Sequence, residues 1–481
     1  MITQTIAQRT SGSSRLPSGL TTTKPLFGLS SALCVAAASA FLFAAPSTEA
    51  ATFTYDTDGT TSWGTATVWA GDIAPTSDLD NVLSFSNTNA RATTNNLGTF
   101  QLNRLTMTNG SSASNAQTLS IAGNTLNFVK NSSDVSPTLV LSRTNSANVG
   151  QTPRITISAS ITVTDALTIT TTVASGQVLL SGNIANNAGM TFNGTSAVGV
   201  TVGNNASPFG AVSGAGGITV NGSYNVNLVG NNTYTGLTDV QSGTLTLNRS
   251  GGTIANASAV RVSGGTLNVA QADTVGAVTL SSGTISGAAV LTGSSYSLTN
   301  TGTVSAVLGG TSIALSKSGA GTATLSAVNT YTGATTVSEG VLNLGVANAV
   351  SASSNVVLSG GELESAFSQS LGTLNLTGIS TLDLSTGGSF VFADSSALDS
   401  SWTGTLSIIG TFTDGLSVRF GTSSAGLTAG QLGQITINGL EADIDLNGYL
   451  VVAAIPEPST YAVLVGATTL GLAAWRRRRA I

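Results

Sequence analysis

The amino-acid sequence predicts an all-β chain wound as a right-handed parallel β-helix, with an apolar segment of helical length at each end. Three observations lead there. Short apolar/polar alternations such as "GTLTLN", "VRVSGGTLNVA" and "ALTITTTV" recur between Gly and Asn turns from 51 to 455, which is the period-2 pattern of strands. An aliphatic residue then returns about every twenty positions: Leu245, Leu267 and Ile285 are spaced by 22 and 18, and Leu342 and Leu363 by 21. Finally, charged residues are only 8% of the chain while hydrophobic residues are 41% and Gly numbers 57, a composition that can fold but has little charge to place on a surface.

Residues 1–50 read as a secretory signal. Arg9, Arg15 and Lys24 precede the apolar run 26–45, "LFGLSSALCVAAASAFLFAA", and the small residues Thr48 and Ala50 place a cleavage site between Ala50 and Ala51. The run is longer than an ordinary signal core, so an uncleaved N-terminal anchor is the competing reading. The single cysteine, Cys34, lies in this run behind Leu33, where a lipoprotein signal would need a small residue. Cleavage would leave a chain without thiols, and there is no histidine, so no Cys or His metal site is available.

Residues 51–379 are expected to form the solenoid. Its clearest copies are 228–248 and 326–345: "NNTYTGLTDVQSGTLTLN" at 231–248 matches "VNTYTGATTVSEGVLNLG" at 328–345 at an offset of 97. A twenty-residue period cannot bury its apolar face alone, and stacking coils about 4.8 Å apart encloses a continuous aliphatic column. Some 350 residues at that period give about 17 coils and a rod on the order of 80 Å. A chain of several β-sandwiches is the alternative, although it does not require an apolar residue to return at a fixed register. Trp63 and Trp69, in "TSWGTATVWAGDIAPTSDLDNVLSF" with Asp80, are expected to close the apolar N-terminal end of the stack.

The repeat stretch, Asn232, Tyr234, Thr235, Gly236, Thr238, Val240, Gly243, Leu245 and Leu247, with Asn329, Tyr331, Thr332, Gly333, Thr335, Val337, Gly340, Leu342 and Leu344 in the second copy, resembles the autotransporter-associated β-strand repeat. That resemblance implies a passenger-like, pectin-lyase-like solenoid. The residues after the repeats are too few for a large translocator barrel, so the chain is expected to depend on the general secretory route.

Residues 380–455 carry more Phe and acidic residues and one helix-compatible piece, "SSAGLTAGQLGQI", and are read as a C-terminal β cap. Within them Glu441, Asp443 and Asp445 alternate onto one face. Asp443-x-Asp445-x-Asn447-Gly448 copies the first half of a calcium-binding loop, but its twelfth position is Ala454 instead of Glu. Asp443, Asp445 and Asn447 are therefore a weak calcium candidate, and a solvated strand or turn is the preferred reading. Asp56-x-Asp58-Gly59 is weaker still.

Residues 456–481 join Pro456-Glu457-Pro458, an apolar span at 460–475 and Arg476, Arg477, Arg478 and Arg479. Sixteen residues make about 24 Å of helix against a hydrocarbon core of roughly 30 Å, and the arginines hold that end in the cytoplasm. The order of motif, span and basic cluster resembles the PEP-CTERM sorting signal of Gram-negative bacteria. The resemblance implies that an exosortase-type membrane protease reads Pro456, Glu457 and Pro458. It also implies that the transmembrane sorting helix is a transient membrane contact, and that the mature protein reaches the cell surface or extracellular matrix.

Between the two ends, residues 51–455 hold nine basic against nineteen acidic residues, a net charge of −10, which excludes a phosphate backbone as partner. The remaining partners are the secretion machinery, the sorting protease and exopolysaccharide or cell-surface glycans. No cofactor and no catalytic residue is expected, since the acids Asp239, Asp273, Glu339, Glu362 and Glu364 are scattered along the repeats. Glu362 and Glu364 share one strand face and are read as an exposed acidic face. The expected function is structural or adhesive, with a carbohydrate-binding or polysaccharide-degrading β-helix as the rival. A groove with three converging acids, or depolymerising activity on an acidic polysaccharide, would sink the structural reading.

Overall fold

The computed structural model describes residues 50–57, 59–87, 91–109, 118–143, 154–204 and 210–454. The signal segment, Cys34, Asp58 and the whole of 456–481 lie outside the described residues, as do the sorting residues Pro456, Glu457, Pro458 and Arg476 to Arg479. Ala50 and Ala51, at the expected cleavage site, are exposed. Among the described residues no helix is long and apolar enough to cross a membrane.

Strands stack in parallel from Thr52 to Ile437. Three ladders run side by side. The first carries Phe53, Leu83, Leu105, Leu139, Ile169, Phe192, Val220, Val240, Val262, Leu280, Leu298, Lys317, Val337, Leu358 and Leu376 as one inward column. The second begins with Gly59–Ser62 and ends with Ile435–Ile437, and both belong to a 32-stranded sheet. The third is interrupted, a five-stranded sheet starting at Phe100–Leu102 followed by two of three strands. Inward residues are mostly apolar, with Lys317 the exception in the first column, because each strand exposes one face to the column and one to solvent, as the buried/half-buried alternation of Leu167–Val173 illustrates.

The register refines the sequence reading in two ways. From Val220 onward successive inward residues of the first ladder are 20, 22, 18, 18, 19, 20, 21 and 18 apart, as the twenty-residue period requires. Upstream the intervals are 30, 22, 34, 30, 23 and 28, because coils there carry longer connections that alternation inside the strands does not constrain. The five equivalent aliphatic positions also occupy two neighbouring inward columns instead of one. Leu245, Leu267 and Ile285 continue through Val304 and Leu325 to Leu344, whereas Leu342 and Leu363 follow Gly302 and Ala323. A two-residue displacement keeps side chains on the same face, so the column stays apolar and the slip is invisible to periodicity.

Both ends of the stack are covered. At the N-terminal end Trp63 and Trp69 are fully buried with Tyr55, Phe85 and Phe100, in edge-on and stacked contacts 5.2–6.0 Å between ring centres. The outermost strand is shielded by an antiparallel bridge between Tyr55 and Trp69. Asp80 accepts the N–H and hydroxyl of Ser132 and ties the entry segment to a later coil. At the C-terminal end the parallel stack runs beyond 380, because Ile379–Leu384 pairs with the coils on both sides. The direction then reverses. Asn438 (φ 49°) and Gly439 (φ 82°) form a tight turn that lays Leu440–Ile444 antiparallel on Ile435–Ile437. The reversal covers the last strand edge, which would otherwise template pairing with another chain. The expected helical piece is a 3-10 turn, Ser424–Gly426, and one helical turn, Ala429–Leu432, fixed by reciprocal capping between Thr428 and Gln431.

Candidate functional site

The repeat stretch is the first place to seek chemistry, and its side chains turn inward. Asn232 is buried in a corner, where its Oδ1 accepts the Val212 N–H (2.8 Å) and its Nδ2 donates to Gly230 O (3.1 Å) and Thr253 O (2.8 Å). Asn329 repeats this with Leu308 N–H (2.8 Å), Ala327 O (3.0 Å) and Ala349 O (2.8 Å). One carboxamide thus satisfies backbone groups of three successive coils, where a corner interrupts the ladder bonds. Tyr234 and Tyr331 are fully buried and share hydrogen bonds with Thr238 (2.6 Å) and Thr335 (2.8 Å), and burial drives both phenols far above their ordinary range. Gly236 and Gly333 let adjacent coils touch, since a Cβ on either would stand 2.4 Å from backbone atoms. Gly243 and Gly340 both turn at φ 63°. Val240, Leu245, Leu247, Val337, Leu342 and Leu344 have no exposed surface. Of the motif side chains, Thr235 alone is exposed.

Asp239 lies on the outward side of the first ladder yet is buried, because Arg261 covers it through two hydrogen bonds (2.7 and 3.0 Å) and Gln241 and Ser263 add two more. Burial raises its carboxyl pKa, but the donors outweigh that and hold it below the ordinary value. The second copy has Thr336 at this place, so the network is a local addition to the repeat.

Glu362 and Glu364 do share one face, as expected. The structure adds Asp383, which stands beside Glu364 on the next coil, and all three carboxylates lie within 4.8 Å of one another. Partial burial raises Glu362 and Glu364, with repulsion from Asp383 adding to both and from Glu364 to Glu362. Glu364 and Asp383 lie on an outward column that continues from Asn343 toward Ile409, Glu362 on the adjacent column between Val341 and Thr381, and all three are half-buried instead of exposed. Its spacing would suit a hard cation or a shared proton. Sequence reasoning missed Asp383 because nineteen residues separate it from Glu364, and only the coil register joins them.

Asp443 and Asp445 occur in the terminal hairpin. Leu440–Ile444 pairs antiparallel with Leu450–Val452, and Asp445 Oδ1 accepts the N–H groups of Asn447 (2.9 Å) and Tyr449 (2.8 Å) across the turn. Asp443 accepts the adjacent Ile444 N–H, while Arg419 lies over the Tyr449 ring and donates to Asn447 O. The arrangement is a strand and turn, and one oxygen of Asp445 already organises the turn.

Among known families, the passenger-associated-transport-repeat matches residues 225–247 and 315–344, the two segments that contain the repeat copies. No curated protein and no solved structure matches the chain.

Proposed function

We propose that this chain is an exported structural β-solenoid of the cell surface or extracellular matrix, a spacer or adhesive rod without catalysis of its own. The observation that carries this reading is the use of the repeat: each motif residue except Thr235 packs, turns or bridges between coils, so the repeat specifies stacking and leaves no constellation to bind or transform a substrate. Passenger-type repeats suggest an exported surface protein. The right-handed winding belongs to this reading, since parallel crossovers overwhelmingly take that hand.

The ends supply the route. In this proposal the chain is cleaved between Ala50 and Ala51. It is held briefly by 460–475, and is released or re-anchored when an exosortase-type enzyme acts at Pro456-Glu457-Pro458. The first experiment is the intact mass of the protein recovered from its own cells and matrix. A chain from Ala51 to near Pro456 supports the route, whereas a chain retaining Arg476 to Arg479 refutes processing of the tail.

The acidic group Glu362, Glu364 and Asp383 is the observation that favours the rival, a β-helix acting on exopolysaccharide. Release of reducing ends or unsaturated sugars from acidic polysaccharide by the purified protein, abolished by Glu364→Gln, would replace the structural reading.

A further inference from the structure

Asp273 occupies a place that the second repeat fills differently. Asn232 and Asn329 each donate a backbone N–H to the next coil, at Thr253 O and Ala349 O (both 3.2 Å), so Thr253 and Ala349 play one part. The Ala349 N–H donates to Gln369 Oε1 (3.0 Å), and the Gln369 amide nitrogen donates to Val346 O (2.7 Å) and Ser365 Oγ (3.0 Å). In the first repeat the acceptor is Asp273. Its Oδ2 takes the N–H groups of Thr253 and Ile254, both at 3.0 Å, but a carboxylate has no amide to match the second half of Gln369.

The other oxygen, Oδ1, is buried on a residue only 4% exposed and makes no hydrogen bond of good geometry among the described residues; the Thr274 N–H also acts on the carboxylate, yet burial outweighs the three backbone donors and raises its pKa. Leaving it so is costly, because an uncompensated buried anion loses its hydration. Gly252 keeps the space beside it clear: its φ is 106°, and a Cβ there would stand 3.3 Å from Oδ1. Asp273 also lines a cavity of about 300 Å³ with Gly251, Gly252, Asn256, Thr274 and Thr292, and with the apolar Ala272 and Val290 side chains. These neighbours offer amide, hydroxyl and carbonyl oxygens, and no basic side chain is among the described lining residues.

The geometry points to a hard divalent cation, calcium, bound at Asp273 Oδ1 and completed by oxygens of Asn256, Thr292 and the Gly251–Gly252 loop. Hydrogen bonds from Thr253 and Ile254 fix the carboxylate, and a dehydrated ion can approach an oxygen more closely than a water molecule can. With one carboxylate the site belongs to the weak class of extracellular modules, with a dissociation constant on the order of 10⁻⁴–10⁻³ M. This inference stands apart from the sorting route and from the structural reading above.

The test uses the full-length protein with terbium as a luminescent probe and calcium as competitor. Tyr234 stands two residues from Asn232, whose side chain bonds Thr253, the residue held by Asp273, so tyrosine-sensitised terbium emission is expected, reversed by calcium. Asp273→Asn keeps the acceptor for Thr253 and Ile254 and adds the amide found in Gln369, so it should fold. It is expected to abolish this emission, and Asn256→Ala to weaken calcium binding several-fold. At ten times the dissociation constant calcium should raise the parent's folding equilibrium constant about elevenfold and leave Asp273→Asn unchanged. Absence of binding up to about 10 mM calcium, or an unaltered titration in Asp273→Asn, overturns the site. Loss of the signal only in the triple variant Glu362→Gln, Glu364→Gln, Asp383→Asn overturns it too, by placing the ion on the acidic group.

Discussion

Replacing Asn329 with alanine tests whether the repeat asparagine is a structural bridge. The substitution removes the acceptor for Leu308 N–H and the donor to Ala327 O, while Ala349 O retains the Asn329 backbone N–H. Two backbone groups are then left without their side-chain partner at a buried corner, each costing about 1–3 kcal/mol, so a loss of roughly 2–6 kcal/mol is expected. Urea unfolding followed by far-ultraviolet circular dichroism would measure it. Hydrogen exchange at Leu308 would show whether the loss is local, since stability in a stacked repeat is a sum over coils and their interfaces. Asn232→Ala should cost a similar amount, and the double variant should be close to additive because the two corners lie several coils apart. Thr235→Ala, on the exposed motif position, should stay within about 0.5 kcal/mol. A loss below about 1 kcal/mol in Asn329→Ala, with Leu308 still protected, would refute the bridging role.

Gly236→Ala should destabilise by more than about 3 kcal/mol, as its methyl would meet the Gly217 backbone at 2.4 Å, and a thermal melt would register the change. Leu267→Ala, in the continuous inward column, should cost about 2–5 kcal/mol by the same assay. Lys317 is fully buried in the first ladder's inward column, with Nζ donating to Ser318 O, Gly319 O and Glu339 O. Lys317→Met should therefore destabilise by about 2–4 kcal/mol despite its apolar fit, and an unchanged urea midpoint would contradict this. Glu362 and Glu364 have folded pKa values raised above the unfolded ones, so the native state binds more protons. Their contribution is fully present below the ordinary glutamate range near 4.5 and lost as pH rises through the folded values. Glu364→Gln should accordingly stabilise at pH 7, with the gain disappearing on acidification. A gain that persists below pH 4 would exclude charge repulsion as its cause.

The stacked architecture was legible downstream of 218 because the coils there stay between 18 and 22 residues and their aliphatic positions recur visibly. It was less legible upstream, where coils of up to 34 residues preserve alternation within strands but destroy the period between them. Trp63 and Trp69 were readable as an end cap because large aromatics near one end of an aliphatic repeat have few other places to be buried. Asp383 and Asp273 were not readable as site residues. The first depends on a register between coils, and the second on a corner where one repeat has Asp and its counterpart has Gln369. Neither difference changes composition or hydrophobic pattern, which are the only signals that a single sequence offers for placing side chains.

The outward side of the second ladder shows why a low-charge composition suits a stacked fold. Asn225, Thr244, Thr266, Thr284, Thr303, Thr324, Asn343, Glu364 and Asp383 form one column across successive coils. Parallel strands place such neighbours about 4.8 Å apart, so a like-charged residue on every coil would repel its copies along the whole rod. Hydroxyl and amide side chains avoid that repulsion, keep water on the surface and can bond between neighbouring columns, as the Thr246 hydroxyl, which stands opposite Asn227, does with Asn225 Oδ1 at 2.9 Å. The column becomes acidic only at Glu364 and Asp383, where burial first and repulsion from Asp383 second raise the Glu364 carboxyl. Along this column charge is therefore confined to its last coils, and on the first ladder the repeated coils carry charge as the opposite-sign neighbours Asp239 and Arg261. The scarcity of ionisable residues follows from repetition itself, whatever the rod contacts.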